Sequence, residues 1–216
     1  MFFCCCTEEK EGYDSLHVEE KETKLVRSTP ALGSSAMPEE EKQCFHATLR
    51  RNAEGKLDLV LEKSDTDYVM IKKITPALAE WNKTCRAGQQ ITVMDRILEV
   101  GGMPAPGKEL AKALEVSSAP EVTLLLQRPQ IRTLRLKRPG KLGIIANYMP
   151  NYSLKPWIDT IADGLVNSWN QDNPDASVRE HDRIMSVNGV SNPPEDVVIQ
   201  MRKQDDLEIV ILHYPC

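Results

Sequence analysis

From Ile131 to Arg138, Leu134 and Leu136 alternate with Arg135 and Lys137, the period of two that marks a strand with one buried and one wet face. Pro139-Gly140 breaks that run. The β-branched and apolar residues of LGIIANYM predict a second strand after the turn, and PWIDTI from Pro156 predicts a third. Leu165, Val166 and Trp169 then fall at helical spacing, and DRIMSVNG predicts a strand ending in the turn pair Asn188-Gly189. Asn192-Pro193-Pro194-Glu195 has the form of a helix start, with Asn as N-cap, Pro in the first helical position and Glu three residues after the cap. Val197, Val198 and Met201 share one face of that helix, while Arg202 and Lys203 suit its negative C-terminal end. LEIVILHY closes the series as a buried strand.

The same series stands earlier in the chain. DRILEVGGM at Asp95 precedes DRIMSVNGV at Asp182 by 87 residues, Trp81-Asn82 precedes Trp169-Asn170 by 88, Lys56-Leu57 precedes Lys141-Leu142 by 85, and EVTLLLQRP precedes LEIVILHYP by 86. The first copy reads as strand CFHATLRR, a turn near Gly55, strands LDLVLEK and YVMIKKI, a helix capped by Thr75 with Pro76 in its first turn, strand DRILEVGG, a helix from about Lys108 to Val116, and strand VTLLLQ. A period this long is a small domain rather than a solenoid repeat of roughly 20 to 50 residues. The expected units are 43–128 and 130–216. Pro129 alone lies between them, too little chain for a flexible tether, so their relative orientation is expected to be restricted.

In this order of elements, with K-L-G-I opening the second strand and D-R-I-M-S-V-N-G-V before the long helix, residues 43–216 resemble a tandem of PDZ domains. The resemblance implies a mainly β fold: two PDZ-like, partly open barrels or sandwiches, each with two α-helices. It also implies that an extended C-terminal peptide adds as a strand beside the second strand and against the long helix. In the second copy Lys141, Leu142, Gly143 and Ile144 would form the turn whose backbone amides receive the terminal carboxylate, with Gly143 free to take positive φ. Lys137, Arg138 and Lys141 would add charge there. Leu142 and Ile144 would line a pocket with Val198 and Met201, and Glu195, at the helix start, would help select the ligand's third-from-last residue.

The first copy departs from the pattern. Lys56-Leu57-Asp58-Leu59 places a carboxylate where glycine is expected, and it would repel an incoming terminal carboxylate. Lys56, Leu57, Asp58, Leu59, Lys108, Ala111 and Leu114 are therefore the weaker peptide-binding set. This copy is open to three readings: a structural partner, a binder of internal peptides, or a lipid binder. Gly101-Gly102 keeps its turn viable.

Composition narrows the function classes. The 216 residues are 41% hydrophobic and 27% charged with a formal net charge of −5, which supplies no broad basic field for nucleic acid. No apolar run approaches the roughly 20 residues that span a bilayer, and no secretory leader is evident, so a cytoplasmic location with reduced thiols is expected. Residues 1–42 read as a disordered acidic arm in which Glu and Lys crowd Glu8–Lys24 and Glu39–Lys42. Its start, MFFCCC, offers Cys4, Cys5 and Cys6 as acceptors for S-acylation, which would tether the protein at a membrane; the plain alternative is an unmodified terminus. The basic run from Arg132 is open to contact with anionic lipid, or is simply a solvated strand face.

No catalytic motif stands out. The chain lacks a G-x-S-x-G elbow, an H-E-x-x-H pair, a phosphate-binding loop and a C-x-x-C pair, so no enzyme activity, cofactor or metal is expected. His181, beside Asp182, reads as a solvent-facing turn residue, His46 as part of a polar strand face, and Trp81 and Trp169 as core anchors of the short helices. The expectation is a non-enzymatic adaptor binding C-terminal peptides of other proteins, mainly through the second copy. The alternative is a peripheral membrane scaffold that uses the fold structurally.

Overall fold

Residues 43–215 are described in the computed structural model, and the alternating patterns above become two antiparallel sheets. The first copy, unit 1, contains β1 (Cys44–Arg50), β2 (Val60–Glu62), β3 (Val69–Lys73), α1 (Pro76–Thr84), β4 (Arg96–Val100), β5 (Met103–Pro104), α2 (Gly107–Val116) and β6 (Glu121–Gln127). Unit 2 contains β7 (Gln130–Lys137), β8 (Ile144–Asn147), β9 (Trp157–Ile161), α3 (Leu165–Asp172), β10 (Arg183–Val187), α4 (Pro194–Lys203) and β11 (Asp206–His213). The sheets run β1-β6-β4-β3-β2 and β7-β11-β10-β9-β8, with β5 paired to β4. The fold is mainly β, with two helices to each sheet, as the PDZ-like reading implies. In both sheets the second strand of the unit, β2 or β8, is an edge.

Alternation places the core. On β1, Phe45, Ala47 and Leu49 turn inward while Cys44, His46, Thr48 and Arg50 are exposed. Unit 1 gathers these residues with Ile71, Leu78, Leu124 and Leu126, and Trp81 packs half-buried at the margin. Unit 2 gathers Leu134, Ile158, Ile184, Val197 and Val198, with Trp169 in the matching position. The repeated landmarks have matching structural roles. Asn82 clips Ile91 by two backbone hydrogen bonds of 2.7 and 2.8 Å, and Asn170 clips Val178 by two of 2.8 Å. Asp95 accepts from the Thr92 amide and Asp182 from the Arg179 amide, so each carboxylate closes the turn before its strand.

Several local expectations hold. Thr75 caps α1 by accepting from the Leu78 amide at 3.4 Å. Asn188 and Gly189 take φ of 50° and 80° and reverse the chain between Val187 and Val190, as a two-residue hairpin turn requires. Gly101 and Gly102 take φ of 62° and 78° in the equivalent turn.

Two expectations are corrected. Asn192 does not cap α4: its side-chain oxygen accepts from Lys155 Nζ at 3.1 Å, and the helix begins at Pro194 with Pro193 as the capping residue. The second strand of unit 1 is confined to Val60–Glu62 rather than running through LDLVLEK. The Leu59 amide bends back to the Leu57 carbonyl at 2.9 Å before it, and the Glu62 carboxylate takes the Ser64 amide at 3.0 Å after it. No helix among the described residues is long and apolar enough to cross a membrane. The expectations for Cys4, Cys5, Cys6 and the acidic arm fall outside the described residues.

Candidate functional site

The turn before β8 is shaped by where its carbonyls go. The oxygens of Lys141, Leu142 and Gly143 accept from the amides of Leu165, Val166 and Ala162 at 2.9, 3.1 and 2.8 Å. A planar trans peptide points its N–H opposite to its C=O. The amides of Leu142, Gly143 and Ile144 therefore turn away from α3 and β9, onto the open side of the edge strand. Three successive N–H groups are thereby directed to one side, the donor arrangement that backbone nests use.

Gly143 makes this turn possible. Its φ is +77°, and a Cβ there would lie 2.8 Å from the Ala162 oxygen and 2.9 Å from Gly164 Cα. Gly189 has a φ of +80° with nothing within 4 Å, so the pair separates backbone strain from crowding. Gly143→Ala is expected to lower stability by about 2–4 kcal/mol and Gly189→Ala by about 1–2 kcal/mol. Urea unfolding of the two variants checks the difference, and equal losses would mean that the close approach at Gly143 is unimportant.

Beneath the turn, Leu142, Ile144, Val198 and Met201 belong to one buried cluster, while Glu195 is half-buried at the first turn of α4 and Lys141 is exposed. Arg138 reaches across to the Met201 carbonyl at 2.8 Å. Lys137 is engaged by Asp206 and Arg135 by Glu208, so part of the basic run is answered by acids on the neighbouring strand.

Unit 1 lacks the equivalent nest. Asp58 is not in the left-handed region, its carbonyl takes the Thr75 hydroxyl at 2.6 Å, and the Leu59 amide is used by Leu57. Arg51 nevertheless repeats Arg138, donating to the Leu114 carbonyl of α2 at 3.1 Å. Unit 1 has a cleft of about 220 Å³ between the start of β3 and the first turns of α2, walled by Lys63, Tyr68, Val69, Gly107, Lys108 and Ala111 among others. Lys63 bridges it to Glu115 at 2.8 Å. Of the weaker candidates, Lys108 and Ala111 line this cleft, Leu114 is buried in the core, and Lys56 to Leu59 are not among its walls.

The densest polar chemistry lies where the units meet. Arg183 is completely buried and pairs with Asp65 of unit 1 at 3.3 Å. His181 Nδ1 lies 3.2 Å from the same Asp65 oxygen, its Nε2 lies 3.7 Å from Asp67, and its ring meets Tyr68 edge-on. The expectation of a solvent-facing His181 is thus corrected: the ring is docked on unit 1. Arg96 donates to the His181 carbonyl at 3.0 Å, and its guanidinium is sandwiched between Tyr68 and Tyr214 at 3.6 and 3.7 Å. Tyr214 donates to the Met94 carbonyl at 2.8 Å and packs with Met70, Met94 and Leu212. Pro215 accepts from the Gln127 side chain.

These contacts set the charge states. Burial works to raise the pKa of Asp65, yet the bonds from His181 and Arg183 hold its carboxyl below the usual range. The Asp65 bond raises His181 against the opposing effect of burial. Burial pushes the Tyr214 hydroxyl up to about 12, so it stays a neutral donor. Asp65, Asp67 and His181 bring one ligand atom each within 4.8 Å of one another. The two His181 nitrogens face different carboxylates and Arg183 shares the Asp65 oxygen, which makes this an ion-pair network rather than a metal cradle.

No family model matches the chain, and no curated protein matches it. Among solved structures, one described as "Structure of INAD PDZ45 in complex with NG2 peptide" is similar at 15% identity, with 87% of this chain and 96% of that chain covered and a TM-score of 0.33. A likeness that faint bears on neither ligand nor residue roles. The PDZ-like character of each unit lies in its own strand order, which leaves β2 or β8 at the edge of its sheet among the described residues.

Proposed function

We propose that this protein is a non-enzymatic adaptor that captures C-terminal peptides of partner proteins by strand addition at the β8 edge of unit 2. The supporting observation is the turn at Lys141, Leu142, Gly143 and Ile144: three carbonyls consumed by α3 and β9 leave three amides directed to the open side. Leu142, Ile144, Val198 and Met201 form the apolar floor for the last ligand side chain, and Glu195 sits where the ligand's upstream residues pass. Two docked units, 43–128 and 130–216, then act as one scaffold. Acylation at Cys4, Cys5 and Cys6 would hold that scaffold at an anionic membrane surface.

A second reading concerns unit 1 alone. Its cleft is lined by Lys63, Lys108 and Lys112 together with Asp65 and Glu115, and Lys63 is engaged by Glu115, which leaves Lys108 and Lys112 to meet a polar or acidic side chain of an internal segment. The test is a peptide-library screen on the full chain, comparing free-acid and amidated C-termini. Free acids are expected to bind at least about tenfold more tightly, the cost of losing charge-assisted hydrogen bonds to the terminal group. Equal affinity for both forms would remove the proposed role of Gly143 and its neighbours.

A further inference from the structure

The cleft of unit 1 has two walls that are bonded to each other. The amides of Gly107 and Lys108, at the start of α2, donate to the carbonyls of Asp67 and Thr66 in the β2–β3 loop at 2.9 and 3.4 Å. The approach is so close that a Cβ on Gly107 would sit 2.6 Å from the Tyr68 backbone. The position of this loop therefore fixes how far α2 stands from β3.

Unit 2 holds the same loop from the other side. His181 and Arg183 bind Asp65, while the β8–β9 loop contributes Ser153 Oγ to Ser64 Oγ and the Leu154 amide to Glu62, both at 2.9 Å. The β8–β9 loop is in turn tied to the start of α4, because Lys155 Nζ donates to the Ser191 carbonyl and the Asn192 side chain. Each loop thus joins its own edge strand to its own long helix, and the two loops are bonded to one another.

We infer that the two grooves are energetically coupled through this loop pair, with unit 2 acting as a prop that sets the opening of the unit 1 cleft and His181 making the prop proton-sensitive. The inference rests on reading the cleft and the β8 edge as ligand sites, but its test requires no ligand. The groups facing His181 are Asp65 and Asp67 from the β2–β3 loop, Tyr68 at the start of β3, Arg96 from β4, and Arg183, which shares Asp65.

The sign follows from the raised His181 pKa. The stabilising pair is fully present below the ordinary value of 6.5 and is lost as pH rises through the raised one. Asp65, shifted down, stays ionised throughout that window. Docking, and with it the hold on α2, is therefore tighter at pH 6 than at pH 8.

Amide hydrogen exchange on the full chain, corrected for intrinsic chemical rates, tests this at the two pH values. Residues 64–68 and 107–111 are expected to gain about three- to tenfold protection at pH 6. In His181→Asn, chosen because Asn tolerates the left-handed φ of 65° at this position, that pH dependence should vanish. In Asp65→Asn, both segments should exchange faster at either pH. An unchanged pH dependence in His181→Asn would overturn the inference, as would a loosened loop with an unaffected α2 start in Asp65→Asn. General loss of protection in β6 and β11 would reveal global unfolding of Asp65→Asn, in which case the wild-type and His181→Asn pH pair decides. Neither result depends on the free-acid comparison, so each reading can fail alone.

Discussion

Replacing Arg183 with methionine is expected to remove about 3–5 kcal/mol of stability, the cost of breaking a buried pair and leaving its partner charged in the interior. Arg183 is fully buried and Asp65 is almost so, hence the water that rescues a surface carboxylate is missing here. The loss should be smaller at pH 6 than at pH 8, because protonated His181 continues to face Asp65 at 3.2 Å. A double variant, Asp65→Leu with Arg183→Met, should recover much of the loss, since an apolar pair of similar volume removes the stranded charge. Urea unfolding gives the three free energies. A loss below 1 kcal/mol in the single variant would show that the pair does not hold the units together.

Tyr214→Ala is the second large effect, about 3–5 kcal/mol, and it comes from packing rather than charge. The ring lies against the Arg96 guanidinium and fills the space between Met70, Met94 and Leu212. Tyr214→Phe keeps that volume and loses the hydroxyl, which donates to the Met94 carbonyl and lies 3.5 Å from Met70 Sδ, an expected cost of about 1–2 kcal/mol. Thermal and urea unfolding of both variants separates the two contributions. Similar losses in both would assign the whole effect to the hydroxyl. Because the residue belongs to unit 2 while Met70, Met94 and Arg96 belong to unit 1, the transition in each variant should also broaden as the units begin to unfold separately.

The sheets were legible because alternation is a local property: Leu134 and Leu136 against Arg135 and Lys137 say which face is buried without reference to anything distant. The repeat was legible for the same reason, and the turn at Gly143 could be read because a glycine at a fixed place in a duplicated pattern is informative. The boundary of β2 was not legible, since it is set by the Leu59 amide turning back on Leu57 and by Thr75, from 17 residues away, taking the Asp58 carbonyl. The short linker implied that the units touch, but the residues that make the contact were missed for a related reason. Arg96 and Arg183 read as part of a strand motif, and His181 as a turn residue, because their partners Asp65, Tyr68 and Tyr214 are distant in sequence. One signal was present: an arginine in each copy beside the strand residues Ile97 and Ile184, which are buried, has to find a partner if it goes inside with them.

Edge strand β8 is only four residues long, and its far end runs into the loop that leans on Glu62 and Ser64. A peptide with its terminal carboxylate at Leu142–Ile144 has to run antiparallel to β8, and at about 3.4 Å per residue it reaches the end of the strand within some four or five positions. On the proposed binding mode, partner residues upstream of that point would pass beyond unit 2 toward unit 1, so a long tail would be measured by both halves of the duplication and a short one by unit 2 alone.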